Sequence, residues 1–429
     1  MSPRTERLCE RMFDNALLWR VQRAIMTNDV DLLIIGSGPA GCSTALHLAR
    51  LDPALARRTV VLDRNEHPRH KLCGGGLVSD VDTILDNLGL DIDEVSHVDA
   101  GWAQLHFQGR GIRMKLKDIA FHVVRRREFD SWLAAKVRDS GVTLLEKTQA
   151  ISLRQVDGGV LVETNRGTFR ARAVVGADGT KGFVRRAISG DAGPIARVVE
   201  VMVPPPRGPS PEPIVADDEA LFEFRNIASG VQGYFWSFPM QIEGKSMRNL
   251  GVYDSRAIDA PLAGSLKGFL EQELARQGVR LEDCKVEGHP IHLFAPRSIL
   301  SAPNIILVGD AAGVDPLLGE GISLALGYGE LAARAILDGF ARDDLGFRDY
   351  TRRIHRSPMG HSMRYRYHAA RLVYRMHHPA LQRIVWWYLR PVVRRFIIDF
   401  VFNWARTSNL PPALPRPNLH DAGTLAAAR

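Results

Sequence analysis

Cysteine is scarce and unpatterned. Cys9, Cys42, Cys73 and Cys284 share no C-x-x-C spacing, which argues against a disulfide framework or a thiolate zinc site and for a reducing compartment, the cytoplasm. No metal-ligand spacing stands out elsewhere. Long apolar runs are also missing: none reaches the roughly eighteen residues that a spanning helix needs, and Arg and Glu interrupt residues 4–23 where a secretory core would lie. Lysine is absent from residues 341–410, which hold fourteen Arg, four Asp and no Glu, a side-chain balance of +10 against +8 for the whole chain. The remainder is close to neutral, so the net charge gives no reason to expect a nucleic-acid partner.

At 429 residues the chain has room for two domains or one large domain with an appendage. Its organising stretch is Asp31 to Asp63. Val30 to Ile35 is a short apolar run, as expected of a strand buried on both faces of a parallel sheet. Gly36, Gly38 and Gly41 then fit G-x-G-x-x-G. The first glycine permits a tight turn, the second a close approach to a pyrophosphate, and the third the packing of the following helix against the strand. The helix N-terminus supplies free N–H groups to phosphates. A second strand, Thr59 to Leu62, ends at Asp63, whose carboxylate can accept from ribose hydroxyls.

Further blocks follow in order. In Arg69 to Leu77, RHKLCGGGL, three glycines either let a planar ligand lie against the chain or form a flexible turn. Residues 104–124 alternate as strands, with a turn at 109–111. Residues 125–142 read as a helix with Phe129, Leu133 and Val137 on one face; an arginine at its start either reaches a diphosphate or is a solvated basic turn. Strands are expected at 143–145, 150–153, 160–163, 168–171 and 173–175, the last running into Gly-Ala-Asp-Gly-Thr at Gly176 to Thr180. The proline-rich stretch 203–213 reads as a connector. In GYFWSFP, Tyr234, Trp236 and Phe238 share one face of a strand, as a core stripe or as a wall for a long apolar or planar ligand. Ile305 to Val308 is a buried strand ending in Gly309-Asp310. Gly319 and Gly321 then open a small-residue helix, placing a carboxylate and a helix N-terminus where a polyol and an anion can be held.

These blocks, in this order, resemble the flavoprotein superfamily typified by p-hydroxybenzoate hydroxylase. Within it, K-x-C-G-G-G at Lys71 to Gly76 and Y-x-W-x-F-P at Tyr234 to Pro239 resemble the geranylgeranyl reductases. The resemblance spans residues 29–340. It implies an α/β fold: a Rossmann-like FAD-binding domain from 29–200 and 285–340, an interleaved α+β substrate domain at 201–284, and a C-terminal helical region at 341–410. Outside it lie an amphipathic helix at 1–28, with Met26 an alternative start, and a disordered tail at 411–429.

The resemblance further implies that Gly36, Gly38, Ala40 and Gly41 hold the FAD pyrophosphate and Asp63 the adenosine ribose. Arg126 helps hold FAD, Gly309 and Asp310 take the ribityl chain, and Gly321 and Ile322 face the pyrimidine edge. Cys73 and Gly74 would lie beside the isoalloxazine, and Tyr234, Trp236 and Phe238 would line an isoprenoid tunnel. Asp178 matches the superfamily's Asp-Gly block, but Gly182 stands where many relatives carry Ser. Cys73, with Tyr234 as a second candidate, would supply the proton for saturating an isoprenoid double bond. The electron donor would be NAD(P)H or ferredoxin, the latter a protein partner.

The C-terminal sequence points independently to a lipophilic substrate. Val392, Val393, Phe396, Ile397, Phe400, Val401 and Trp404 recur at helical spacing among arginines. Such a helix is either a lid on the body or a peripheral contact with the anionic inner face of the cell membrane. Two other activities fit the superfamily blocks: an FAD-dependent monooxygenase or halogenase on a lipophilic acceptor, and a non-catalytic FAD-bound membrane adaptor. The W-x-W-x-I-P block of halogenases is absent.

Overall fold

The computed structural model describes residues 27–116, 121–190, 193–206 and 215–405. The segments expected as an N-terminal amphipathic helix and a C-terminal tail therefore lie almost wholly outside the described residues.

Five strands pair in parallel in the order 305–307, 167–176, 27–35, 59–62 and 143–145. They form the spine of an eight-stranded sheet completed by the antiparallel strands 150–156, 159–164 and 301–302. Leu32, Leu33 and Ile34 are fully buried, as strands covered by helices on both faces require. The separate strands expected at 168–171 and 173–175 are one continuous strand, Gly167–Gly176. Its Arg172 does not interrupt the ladder, because alternate side chains leave it on the outer face beside Asp343, 2.8 Å away. The expected helix at 125–142 runs Arg126–Asp139 and ends before Gly141, whose φ is +84°. Helix Pro39–Leu51 packs against helix Ile322–Arg342, and a Cβ on Gly329 would fall 2.4 Å from Ser43 Oγ. Small residues are therefore required at that crossing.

A second, seven-stranded sheet runs in the order 287–292, 195–203, 245–254, 233–242, 219–223, 102–107 and 110–115. It takes strands from both sides of the 201–284 segment, because strand 102–107 adds in parallel to strand 219–223 and strand 287–292 closes the other edge. One face, with Phe235, Leu250 and Val252, packs on helix Leu266–Arg276. The opposite face carries Tyr234, Trp236 and Phe238. A small sheet of strands 76–78, 121–124 and 97–99 joins the two halves.

The C-terminal region is helical: Tyr350–Arg356, Pro358–Val373, Pro379–Arg383, a π-helical turn Ile384–Tyr388, and Arg390–Phe400. The last helix ends four residues before Trp404, and its expected apolar face divides. Ile397, Val401 and Trp404 are buried, whereas Val392 is 64% exposed. Arg366, with no solvent exposure, fixes this arrangement. It donates to the Phe400 and Val401 carbonyls at 2.8 and 3.1 Å and pairs with Asp315 at 3.2 Å and Glu320 at 3.5 Å. Among the described residues no helix is long and apolar enough to cross a membrane.

Candidate functional site

A cavity of about 610 Å³ lies where the two large sheets meet. It runs from the glycine turn and Asp63, past Arg126, Asp310 and Cys73, to a chamber of aromatic rings closed by Ile397, Val401 and Phe402 of the C-terminal region.

At the glycine end each glycine has a separate cause. Gly36 has φ +110°, and a Cβ there would stand 2.3 Å from the Ala177 carbonyl oxygen. A Cβ on Gly41 would fall 1.9 Å from the Gly36 carbonyl oxygen, so this glycine seats the helix on the turn. At Gly38 the nearest atom is Arg69 Nη2, 3.6 Å away, and the position faces the cavity. Gly38 caps helix Pro39–Leu51 without a side-chain hydrogen bond, leaving the N-terminal N–H groups to a ligand. Ala40 packs against Gly309, where a Cβ would lie 2.7 Å from its own, so both must stay small.

Asp63 accepts from Ser37 N and Oγ at 3.0 and 2.7 Å and from Asn65 N at 2.8 Å. Burial works against its charge, but Arg69 and these bonds hold the carboxyl below its ordinary pKa. Arg126 is buried in a two-pronged pair with Asp130, at 2.7 and 2.9 Å. Arg69 reaches the same carboxylate at 3.2 Å. Sequence reasoning missed both Arg69 and Asp130; an Arg and an Asp four apart at a helix start was the available signal. Asp310 accepts from Thr180 Oγ1 at 3.3 Å, and its Oδ1 is 3.8 Å from where a Gly321 Cβ would be. Gly321 caps the helix beginning at Ile322, whose Ser323 N–H is taken by the Glu320 carboxylate at 2.9 Å.

Asp178 lines the cavity, but its Oδ2 caps helix Phe183–Ser189 by accepting from Val184 N at 3.0 Å. Burial raises its pKa. A Cβ on Gly182 would land 2.1 Å from the Asp178 carboxyl carbon, so glycine at 182 is the condition for this carboxylate position.

The Lys71 to Gly76 loop forms the cavity's middle. Gly75 has φ +78° and approaches the Val124 carbonyl oxygen, while Gly74 lies against Trp236 and Phe238, its Cβ position 3.2–3.3 Å from their rings. The Cys73 thiol faces the cavity and accepts from Gly75 N at 3.4 Å. Burial, partly offset by Arg126, raises its pKa, so the sulfur keeps its proton. Lys71 Nζ lies 2.8 Å from His289 Nε2, and burial, with Lys71 beside it, pulls His289 down to about 4. This histidine is therefore a neutral acceptor for the lysine.

In the aromatic chamber, ring centroids lie 5.0 Å apart for Phe222–Phe238, 5.2 Å for Phe222–Tyr234 and 5.5 Å for Phe121–Phe238. Trp236 Nε1 donates to Asn249 Oδ1 at 2.7 Å. The Tyr234 hydroxyl donates to the Leu318 carbonyl, and burial pushes its pKa well above that of a free phenol. Its proton is engaged by that backbone carbonyl, whereas no hydrogen bond donated by the Cys73 thiol is seen among the described residues. Sequence reasoning also missed Glu200, the single carboxylate in the mostly apolar strand IARVVEVMV, on the cavity wall.

These residues fit a flavin dinucleotide. The uncapped N-terminus of helix Pro39–Leu51, the N-terminus of the helix beginning at Ile322, the Gly38 position facing the cavity, and a buried arginine converge on one elongated cavity. Fold and cavity thus define a dinucleotide-binding flavoprotein with an attached apolar chamber. Residues 29–225 match the family described as FAD binding domain. Curated relatives include the menaquinone reductase of Mycolicibacterium smegmatis, 26% identical over 74% of this chain and 79% of that one. Digeranylgeranylglycerophospholipid reductase 2 of Methanosphaera stadtmanae is 28% identical over 72% of this chain and 79% of its own length. A geranylgeranyl bacteriochlorophyll reductase-like protein from Thermoplasma acidophilum shares the fold, with a TM-score of 0.70, 20% identity and coverage of 89% and 98%. Halogenase PltM in complex with FAD is more distant, at a TM-score of 0.62 and 17% identity, over 81% of this chain and 76% of that one. The chain is an FAD-dependent oxidoreductase related to the geranylgeranyl-type reductases.

Proposed function

We propose that this protein saturates carbon–carbon double bonds in the prenyl chain of a lipid or quinone. The observation that carries this reading is the continuity of the cavity. The end that suits a dinucleotide opens, past the Cys73 thiol, into a buried aromatic chamber whose far wall is helical and apolar. The names of the related lipid and menaquinone reductases support the same substrate class.

Bound FAD, once reduced, supplies the hydride for one alkene carbon. The glycine turn, Arg126 and Asp310 would hold the cofactor, with Asp63 at its ribose and Gly321–Ile322 at its ring edge. Trp236 and Phe238 would align the chain by shape, since an isolated alkene offers no polar handle; this is catalysis by positioning and exclusion of water. Cys73 would give the proton, as a thiol kept neutral by burial. NAD(P)H or a ferredoxin would reduce the flavin.

The exposed apolar residues Leu372, Leu381, Ile384, Tyr388, Leu389 and Val392, set among arginines, would rest on the anionic inner face of the cell membrane beside the lid. Anaerobic incubation of the dithionite-reduced protein with mixed isoprenoid lipids should add two hydrogens per event by mass spectrometry. Addition of oxygen in air, with no anaerobic change, would instead establish the monooxygenase reading.

A further inference from the structure

Saturating one double bond consumes one hydride and one proton. The hydride arrives with the cofactor, so the protein's own share is the proton, which must be replaced at a buried thiol beside the aromatic chamber. Glu200 is placed to replace it. Its side chain is on the cavity wall and 8% exposed. Oε1 accepts from the Cys73 backbone N–H at 3.3 Å, and Oε2 is buried without a well-aligned hydrogen bond, the Asn249 amide lying close enough to favour its charge in part. A buried carboxyl oxygen without a well-aligned partner is costly as an anion and is better satisfied carrying a proton.

Strand register supplies the route outward. Glu200 pairs directly with Glu287, and Val198 with His289, so Ile291, His289 and Glu287 form one row on the same face of the neighbouring strand. Ile291 and His289 line the cavity. Glu287 is 31% exposed and meets His70 and Lys285, each at 3.2 Å. The row therefore runs from the chamber to solvent.

We propose that Glu200 is the proton store of this site, refilling Cys73 after each saturation and itself refilled from solvent through Glu287. The inference rests on the reductase reading. The Cys73 S–H proton goes to the alkene carbon that does not receive hydride, leaving a thiolate. The Glu200 O–H proton then passes to that sulfur, leaving a carboxylate. A solvent proton entering by Glu287 restores the acid, so the net change is one hydride and one proton added across the double bond.

The surrounding charges make the transfer downhill. Burial pushes Glu200 up to about 7; the Cys73 N–H and nearby Asn249 amide oppose this, Glu287 adds to it, and Lys71 opposes it. The Cys73 thiol lies above its ordinary value. His289, neutral at this pH, adds no positive charge.

Two measurements test the proposal. The first needs no substrate: infrared titration of the FAD-loaded protein should show a protonated-carboxyl C=O band that fades as pH rises through about 7. Buried Glu273 is also pushed up to about 7 and contributes to the same band, so Glu200→Gln should remove one component of it, and Glu287→Gln should make that component fade at lower pH, because the facing like charge is gone. A band unchanged in both variants overturns the assignment; should Glu200→Gln not fold, the Glu287→Gln shift decides alone. The second is turnover: Glu200→Gln should complete its first saturation at near the wild-type rate and later ones roughly a hundredfold more slowly. Equal slowing of the first and later events overturns the relay. If the wild-type protein saturates no isoprenoid, the function proposed above fails, while the infrared titration still decides the protonation of Glu200.

Discussion

Replacing Arg366 with Met should loosen the cavity's lid more than any surface change in the C-terminal region. The guanidinium is wholly buried, pairs with Asp315 and Glu320, and holds the Phe400 and Val401 carbonyls. Met approximates the apolar stem but leaves both carboxylates without their counter-charge and the Val401 carbonyl without its donor, while Asp315 keeps the Leu317 and Leu318 N–H groups, Glu320 keeps Ser323, and the Phe400 carbonyl keeps the Ser362 hydroxyl. Breaking a buried pair from one side costs about 3–5 kcal/mol. Part of this is recoverable, because burial already raises the pKa of Glu320, with Arg366 opposing, and without the arginine it would take up a proton more readily. At a denaturant slope of about 3 kcal/mol per molar, the urea midpoint should fall by about 1 M. Trp386 and Trp404, both buried in the same region, report it by fluorescence. Adding Asp315→Asn and Glu320→Gln to the variant should recover a large part of the loss, since it removes the orphaned charges. A midpoint unchanged by Arg366→Met would refute the claim that this arginine locks the lid.

Other outcomes follow from single contacts. Gly41→Ala should abolish soluble protein, because its Cβ would fall 1.9 Å from a backbone oxygen, whereas Gly38→Ala should fold and bind less FAD, read as flavin absorbance per chain. Phe238→Ala should cost about 3–5 kcal/mol in urea unfolding through the cavity left among Phe121, Phe222 and Trp236. Cys73→Ser should retain FAD while slowing substrate-dependent flavin reoxidation; unaltered reoxidation would remove the thiol from the proton path. For His122, burial lowers the pKa but the carboxylates Asp82 and Asp99 raise it further, for a net rise. Its contribution to stability should be complete below the unfolded pKa of about 6.5 and lost as pH rises through the higher folded value. The difference in urea midpoint between wild type and His122→Asn should therefore shrink on going from pH 6 towards pH 9; a constant difference would contradict the pairing.

The glycine unit could be read in the sequence because each of its constraints is local. A φ of +110° at Gly36 and a 1.9 Å approach at Gly41 arise within a few residues, so spacing alone reports them. The parallel strands were equally legible, since burial on both faces demands continuous apolar runs. The aromatic stripe at Tyr234, Trp236 and Phe238 was visible by its period of two, but its surroundings were not: Phe121 and Phe222 come from distant strands.

What tertiary structure alone decided are relations between segments far apart in the chain. Arg69 meets Asp130, Glu200 faces Glu287, and Arg366 reaches Asp315, each across a separation that leaves no periodic trace. Gly182 looked like a departure at the site; in the folded chain it makes room for the Asp178 carboxylate. The division of the C-terminal apolar face, with Ile397 turned in and Val392 turned out, likewise depends on where Arg366 anchors the chain after the helix. Local sterics and side-chain period are written in the sequence. Which charges meet, and which apolar faces stay uncovered, is settled only when sheet register and helix packing bring the segments together.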